Sequence, residues 1–347
     1  MPADTFTVPG FSIKVAGSPL PKSVADAVMT VEVQQSLELI DMFTIVLDND
    51  HGQIGDSDLF KEGNEVEIEL GYSGEPEKLM KGEIISLEPT WPEDTSPTLL
   101  VRGYDRVHRL SRGRKTRSFL QVKVSDVVQQ LAGEEGISAE VDDTELVHEY
   151  LFQNNQTNIE LIYQLARRHF FEVDLDLSGT LNFKKPSSNK PKSFTLKWGH
   201  DLKSFYVRES VTEVPTSVTT MGWDPKQKQA ITHKTTDLHA SLGSKLSPKV
   251  VESAFGDNPV QLSLRPTVAP SEAEALAVAA FNQRVQDSVR GHGTCMGEAK
   301  IKPGIVLEIQ GLGTLWSGGY YVVAATHLLH PATGYVTEFH VRRTGTQ

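Results

Sequence analysis

The chain has 347 residues, of which 38% are hydrophobic and 23% charged, a composition that excludes a largely disordered protein. This length exceeds the ~100–200 residues usual for one domain and predicts two or three packed domains. The formal net charge of −11 argues against nucleic acid as the main ligand, because phosphate binding needs a cationic surface. We therefore expect no sequence-specific nucleic-acid binding.

The amino-terminal stretch MPADTFTVPGFSIKV lacks the charged-then-apolar layout of a signal peptide, and no apolar run approaches the ~20 residues of a membrane span. We therefore expect a soluble chain that is made and folds in the cytoplasm. The only cysteine is Cys295, which rules out an intramolecular disulfide and a cysteine-based metal framework.

The first ~110 residues alternate apolar and polar side chains in short runs separated by Gly, Pro, Asp and Ser. These runs are FSIKV, MTVEVQQS, FTIVLDND, EVEIELGY, GEIISLEP and TLLVRGYD. Alternation with a period of two indicates antiparallel strands with one buried face. We predict a β-barrel or sandwich over residues 1–117.

Residues 118–192 change pattern and predict a small α/β module. One helix begins near Val124, and a second in QTNIELIYQLARRHFF has Thr157 and Glu160 at capping-box spacing. Two short strands, FEVDLDL and TLNFKK, are joined by a Ser-Gly turn, and the Pro-containing KKPSSNKPKS closes the module as a linker.

Strand patterns return over 193–236. Residues 237–268 show no clear period and are assigned to a loop with scattered extended pieces. A helix follows in PSEAEALAVAAFNQRVQDSVRG, with Ser271 as the predicted N-cap and Glu274 at capping-box spacing. Residues 291–347 again show strand patterns. We therefore assign 193–236 with 291–347 to a second β-barrel and 237–290 to a helix-containing insertion.

The last β region repeats the order of elements in the first. EGNEVEIELGY, LMKGEIISLEP and TLLVRGYD correspond to KPGIVLEIQGL, WSGGYYVVAAT and YVTEFHVRR. Placing Gly63 on Gly304, an offset of 241, also superposes Glu67 on Glu308. The similarity is short, so either chance likeness between β-meanders or two related barrels explains it.

Two histidines, His327 and His330, follow an apolar run and raise the question of a metal or catalytic site. A strand register places them on opposite faces, and zinc needs three or four ligands. We interpret both as turn or strand-end residues. Cys295, in GHGTC, has no nucleophile-elbow motif around it and is interpreted as a buried strand residue.

Three charged stretches are also interpreted as structural. Asp48 to Asp58 lacks the EF-hand order and is assigned to a solvated loop. Glu67 and Glu69 share one strand face, which is expected to be wet and could line a channel with negative charge. The basic run RLSRGRKTR, Arg109 to Arg117, is expected to be solvated or to meet an acidic partner subunit. We assign no catalytic, cofactor-binding or metal-binding residues and expect no cofactor.

Three stretches together resemble the phage late control protein D family and the hub part of VgrG. They are RGYDRVHRLSRGRKTRSF, QNNQTNIELIYQLARRHFFEVDLDLSGTLNF and KPGIVLEIQGLGTLWSGGYYVVAATHLLHPATGYVTEFHVRR, in that order. The resemblance runs from about Phe11 to Arg343. The sequence has no repetitive β tract after its last strands, so it is more similar to the late-control type, in which a separate protein supplies the spike.

The resemblance implies a non-enzymatic baseplate hub of a phage tail or contractile injection system. It implies an α+β, mostly β chain with two related antiparallel β-barrels, an α/β module and a helical insertion. The family forms a homotrimer whose barrels make a pseudo-sixfold ring between the inner tube protein and the spike protein. Other baseplate proteins would contact the ring, which would pass from the cytoplasm into the assembled particle.

Two other functions remain open at this stage. A cell-wall hydrolase at the tip of such a spike would need a catalytic constellation, and the sequence contains none that we recognise. A glycan-binding β protein would be a monomer, or a dimer without a channel.

Overall fold

The computed structural model describes residues 8–72, 76–186, 192–239, 241–263 and 269–347. The chain is mostly β with helices placed beside the sheets, which confirms the α+β, mostly β class. The strands are β1 Pro9–Val15, β2 Ser18–Pro19, β3 Val28–Ser36, β4 Met42–Asp48, β5 Glu65–Tyr72, β6 Glu77–Thr90, β7 Thr98–Asp105, β8 Lys115–Lys123, β9 Ser138–Val141, β10 Val147–Gln156, β11 Glu172–Leu175, β12 Thr180–Lys184, β13 Lys192–Lys197, β14 Leu202–Glu209, β15 Ser217–Asp224, β16 Gln229–Thr235, β17 Lys245–Leu246, β18 Pro259–Leu262, β19 Val289–Met296, β20 Val306–Gln310, β21 Gly318–His330, β22 Gly334–Arg343 and β23 Gly345–Thr346. The α-helices are α1 Lys22–Ala25, α2 Val124–Glu134, α3 Asn158–His169, α4 Ser247–Phe255, α5 Pro270–Gln286 and α6 Gly313–Trp316, and short 3-10 helices span Asp50–Gly52 and Arg106–Ser111.

In the described part of the chain, 13 strands form one continuous sheet. Its main path runs β14-β19-β22-β21-β3-β4-β7-β6-β5-β1-β2, and β20 attaches to β21 and carries β13. We call β1 with β3 to β7 the first unit, and β13, β14 with β19 to β22 the second unit. The two units meet where β3 pairs with β21.

The two units have the same strand order. The first runs β1-β5-β6-β7-β4-β3 and the second runs β13-β20-β21-β22-β19-β14, so corresponding strands occur in the same order along the chain. They differ in one pairing, because β1 is antiparallel to β5 whereas β13 is parallel to β20. Among the ladders of the described residues, none closes either unit into a barrel.

Each unit has its own hydrophobic core, which follows from the alternating sequence of its strands. In β4, for example, Phe43, Ile45 and Leu47 are fully buried while the intervening side chains face the other side. Burial of such side chains contributes about 1.5–3 kcal/mol each. The core of the second unit is built around Tyr320 and Phe339.

Glycines in the middle of strands make room for aromatic rings in both cores. In the first unit a Cβ at Gly103 would overlap the ring of Phe43 and the Glu83 carbonyl oxygen. In the second unit a Cβ at Gly293 would lie 2.7 Å from the ring of Phe339. The glycines are therefore required by close packing rather than by turns.

The α/β module between the units packs α2 and α3 on strands β9 to β12 around a separate core. The predicted capping box of α3 is confirmed. Thr157 Oγ1 accepts from the Glu160 backbone N–H at 3.2 Å, and the Glu160 carboxylate accepts from the Thr157 backbone N–H at 3.0 Å. Part of the predicted linker KKPSSNKPKS, residues 187–191, lies outside the described residues.

The insertion differs from its sequence-based assignment. The segment 237–268 contains the short strands β17 and β18, in line with the expected extended pieces, but also the nine-residue helix α4, which was not predicted. Residues 240 and 264–268 lie outside the described residues. Strand β15 pairs with β16 on one side and with β18 on the other in a separate sheet that packs on α5. Helix α5 begins at Pro270 after Ala269, and not after the predicted N-cap Ser271, because proline at the first helical position is already in helical conformation.

We expect Gly103→Ala to lower the free energy of unfolding by about 3 kcal/mol, because the added methyl group overlaps both a buried ring and a backbone oxygen. The matched control is Gly133→Ala in α2, where no atom lies within 4 Å of the added Cβ. Alanine should stabilise that helix by up to about 1 kcal/mol. Urea unfolding followed by circular dichroism measures both, and equal midpoints for the two variants would contradict the packing role of Gly103.

Candidate functional site

The two histidines of the last β region differ completely in environment. His327 lies in the middle of β21 and is fully buried, whereas His330 ends the strand and is exposed. The predicted opposite faces are therefore confirmed, and the strand-end assignment is right for His330 and wrong for His327.

The buried imidazole of His327 joins three chain segments. Its Nε2 lies 3.0 Å from the Ile301 carbonyl oxygen, which can only accept, so Nε2 carries the proton. Its Nδ1 lies 3.0 Å from the Tyr335 hydroxyl and 3.1 Å from Thr337 Oγ1. Burial lowers the pKa of His327 to about 4, so the ring is neutral at pH 7. It acts as a structural hydrogen-bonding group.

Cys295 is buried in β19, as predicted, and its Sγ lies 3.6 Å from the Thr337 carbonyl oxygen. Burial raises the pKa of the Cys295 thiol to about 12. A thiol that stays protonated at pH 7 is a poor nucleophile. The second core therefore uses Cys295 as a small apolar residue.

The acidic segment Asp48 to Asp58 is organised by an asparagine rather than by an ion. Asn49 is buried, and its Oδ1 accepts from the backbone N–H groups of Ile54 and Gly55, each at 3.1 Å. Across the described residues, no group of three or more His, Cys, Asp or Glu side chains is placed to hold a metal ion.

The carboxylates on the open face of β5 are balanced by lysines. Glu67 has Lys78 at 3.3 Å and Lys14 at 3.8 Å, and Lys14 also lies 3.8 Å from Glu69. Desolvation opposes the charged form of Glu67, but the lysines outweigh it and lower the pKa. The face is wet, as predicted, but it is mixed in charge rather than acidic.

The basic run Arg109 to Arg117 pairs with acids of its own chain. Arg109 makes two hydrogen bonds to Glu83, of 3.0 and 2.6 Å. Arg117 binds both oxygens of Glu134, at 2.7 and 2.9 Å, and these bonds lower the pKa of Glu134 to about 2. The run therefore ties the segment after β7 to β6 of the first unit and holds β8 to α2 within the module, which neither sequence-based alternative anticipated.

Two neighbouring carboxyl groups were missed from the sequence: the buried Asp105 at the end of β7 and the half-buried Asp41 just before β4. Asp105 caps the following 3-10 helix by accepting from the Val107 backbone N–H at 2.8 Å, and its other oxygen accepts from the Asp41 backbone N–H at 3.2 Å. Burial raises the pKa of Asp105 to about 7 and raises that of Asp41. An aspartate between a strand and a helix is a sequence signal for such a cap.

The α/β module is held to the second unit by Glu172. Its carboxylate accepts from the Arg342 guanidinium at 2.7 Å and from the Tyr321 hydroxyl at 2.5 Å. Both charged side chains of the ion pair are less than 20% exposed, at 17% and 14%. This polar contact fixes the module against strands β21 and β22.

An open groove of about 610 Å³ separates α3 from α5 and is lined by Tyr163, Arg167, Leu276 and Gln283 among others. Its carboxylate is Glu160, which is already occupied by the helix cap and by Arg114 at 2.8 Å. This carboxylate is therefore engaged within the chain, whereas glycoside hydrolysis uses a pair of carboxyl groups.

The feature that sets this chain apart is the matched register of its two units. Gly63 and Gly304 both have positive φ, 87° and 82°. Their N–H groups donate to the carbonyl oxygens of corresponding residues, Ile84 at 2.8 Å and Val322 at 2.9 Å. The offset found in the sequence therefore matches the three-dimensional pairing.

Two irregularities also occur at corresponding positions. The β6–β7 ladder shifts register at Ile85, and the β21–β22 ladder shifts at Val323. The β3–β4 ladder shifts at Met29, and the β14–β19 ladder shifts at Lys203. Bulges are specific features of a fold, so their coincidence argues strongly against chance similarity of two meanders.

The sequence matches the family model described as the Alg8 N-terminal domain over residues 5–330. The chain belongs to this family, which covers nearly its whole length. The search of curated proteins found no match. In the described ranges, no helix is both long enough and apolar enough to span a membrane.

Solved structures share the fold along the whole chain. The prophage MuSo2 43 kDa tail protein from Shewanella oneidensis matches with a TM-score of 0.73 at 16% identity, over 97% of this chain and 98% of the other. A tail protein from Neisseria meningitidis MC58 matches with a TM-score of 0.71 at 13% identity, over 97% of this chain and 97% of the other. The E. coli c3393 protein, a component of the type VI secretion system, matches with a TM-score of 0.64 at 13% identity, over 95% of this chain and 76% of the other. The fold is therefore that of these tail and secretion proteins.

We expect acid to destabilise the protein partly through His327. The unfolded chain binds a proton near pH 6.5, whereas the folded chain does so only near pH 4, so this contribution is complete above pH 6.5 and falls towards pH 4. The loss from this group is about 3 kcal/mol. His327→Gln, which can still donate to Ile301, should unfold more easily at pH 7 but show a flatter pH dependence.

His330→Gln is the matched control, because this side chain is exposed. Urea unfolding at several pH values between 7 and 4 measures all three proteins. If the free energy of unfolding fell with pH equally in wild type and His327→Gln, the assignment would be contradicted. Asp105 and Asp41 have raised pKa values and favour the folded state in acid, but both proteins contain them, so they do not affect the difference between the two.

We expect Glu172→Ala to lower the free energy of unfolding by about 3 kcal/mol, because Arg342 is left half-buried without its carboxylate. Glu140→Ala, which removes the partner of the exposed Lys184, should cost less than about 1 kcal/mol. Thermal unfolding compares the two. Equal effects would show that Glu172 does not hold the module in place.

Proposed function

We propose that this protein is a structural baseplate hub of a phage tail or contractile injection system. Three copies form a ring with pseudo-sixfold symmetry that connects the inner tube to a separate spike protein. The observation that carries the proposal is the presence in one chain of two six-stranded units with the same strand order, two bulges at corresponding positions, and the same register in every ladder except that of β1 or β13. Three such chains supply six similar units.

The pseudo-sixfold arrangement solves a symmetry problem. A tube with sixfold symmetry needs six similar contacts, whereas a spike with threefold symmetry needs three, and a ring of three duplicated chains provides both. The shared fold with tail proteins of two bacteria and a type VI secretion component supports this role. Membership of the late control protein D or VgrG type, and closure of each unit into a barrel within the ring, are part of the proposal.

The domain division stays a prediction: 1–117 for the first barrel, 118–192 for the α/β module, 193–236 with 291–347 for the second, and 237–290 for the insertion. The separate sheet of β15, β16 and β18 supports adding 217–235 to the insertion. We place the module and the insertion on the outside, where other baseplate proteins would attach. Assembly would take place in the bacterial cytoplasm before the hub enters a particle.

The role is non-enzymatic. The histidine, cysteine and acidic residues selected as candidates have structural roles, and the carboxylate of the open groove is engaged within the chain. No observation favours a cell-wall hydrolase or a glycan-binding protein. Release of fragments from purified peptidoglycan would contradict the non-enzymatic role.

We expect the purified protein to have three times the 38.3 kDa mass of one chain in multi-angle light scattering. Negative-stain images should show a threefold ring with an axial hole. A monomer at micromolar concentration, or a dimer without a hole, would overturn the proposal, because the tube and the spike could not be joined in register.

A further inference from the structure

The junction between the two units of one chain provides a template for a second junction. Within the chain, β3 pairs antiparallel with the C-terminal half of β21, from Ala324 opposite Ser36 to Leu329 opposite Val31. The pairing covers Val31 and Val33, which are both 0% exposed. It therefore completes the edge of the first core.

The corresponding strands offer the same two edges a second time. The counterpart of β3 is β14, and the counterpart of β21 is β6. Among the ladders of the described residues, β14 pairs only with β19, and beyond Glu83 strand β6 pairs only with β7. One edge of each strand is thus left without a β-ladder.

Apolar side chains along these two edges are incompletely covered. Phe205 and Val207, the counterparts of the fully buried Val31 and Val33, are half-buried. Tyr206, also on β14, is 55% exposed. On the second edge, Trp91 directly after β6 is 66% exposed. An additional strand on each edge would remove this surface from water.

We propose that β14 of one chain pairs antiparallel with residues 85–91 of a second copy of this chain. The inference rests on the proposed ring and names the contact that builds it. Transferring the register of the in-chain junction gives seven facing pairs: Ile85 with Val211, Ser86 with Ser210, Leu87 with Glu209, Glu88 with Arg208, Pro89 with Val207, Thr90 with Tyr206, and Trp91 with Phe205.

The chemistry of these pairs suits the contact. Glu88, which already pairs with Arg102 of β7 at 3.3 Å, would face the opposite charge of Arg208 directly across the strands. Ile85 would face Val211 as Val323 faces Leu37 within the chain. There the Leu37 backbone N–H donates to the Val323 carbonyl oxygen at 3.1 Å. Pro89 stands where His327 stands in the template and supplies no N–H, so the new ladder has one fewer donor.

This contact joins different surfaces on the two partners, so it repeats from chain to chain. Such a head-to-tail contact closes into a ring or continues as a filament. In a ring of three chains it alternates with the in-chain junction. Every unit then has the same kind of neighbour on each side, and the sheet has no open edge at these positions.

A cysteine pair tests the register. Glu88→Cys with Arg208→Cys places two thiols on directly opposite strand positions, within the 4.4–6.8 Å Cα separation that a disulfide needs. The native Cys295 is buried and gives little background. Mild oxidation and non-reducing electrophoresis should shift most chains into covalent dimers and trimers.

Two further double variants serve as controls. Gln34→Cys with Thr326→Cys lies at the corresponding pair of the in-chain junction and should close within one chain without changing its mass. Lys81→Cys with Arg208→Cys keeps one thiol and moves the other along β6, so it should give no ladder of covalent species.

Light scattering on the same samples separates the two proposals. A mass of three chains with no cross-linking would overturn this contact and leave the ring standing, whereas a single-chain mass with no cross-linking would overturn both. Covalent dimers without trimers would show that two chains contact each other through the same surfaces, and would also overturn the proposed head-to-tail contact. Covalent trimers in a sample of threefold mass support the contact.

Discussion

The pairing of β3 with β21 is the contact on which the arrangement of this protein depends. It joins two strands nearly 300 residues apart in sequence and converts two separate six-stranded units into one continuous sheet. Because hydrogen bonds fix the register residue by residue, the two units cannot slide or rotate independently. The α/β module and the insertion then attach to a rigid frame, the former through Glu172.

Much of the fold could be predicted from local pattern. Period-two alternation identifies the strands of the first unit, and the capping box of Thr157 and Glu160 marks the start of α3. Helix α4 was missed because only one apolar residue of its short sequence, Val251, is buried. A pattern that weak does not distinguish a helix from a loop.

The environment of the candidate residues could not be predicted, because it depends on partners far away in sequence. His327 is fixed by Ile301 and by two residues of the next strand. Likewise, the arginines of the basic run are neutralised by Glu83 and Glu134. A sequence shows that charges are clustered, but only the fold shows which of them face each other.

The duplication of the six-stranded unit could not be established from the sequence alone. The repeated glycine and acidic positions suggested a duplication, but the similarity was too short to separate it from chance. The decisive signals were the bulges at Ile85 and Val323 and at Met29 and Lys203, which have no residue type in common. Backbone geometry has preserved the relationship where side-chain identity has not.

In both cores a glycine faces an aromatic ring on the neighbouring strand, but the strand that carries the ring differs between the units. In the first unit Phe43 projects from β4 over Gly103 of β7, and in the second unit Gly293 of β19 makes room for Phe339 of β22. The shared register aligns Phe43 with Gly291 and Phe339 with Val101, so each core places its ring where the other has a smaller side chain. The units have become a specific pair that shares a backbone and no longer shares interchangeable parts. A strand moved from one unit into the other would therefore meet neighbours that pack around a ring at a different position.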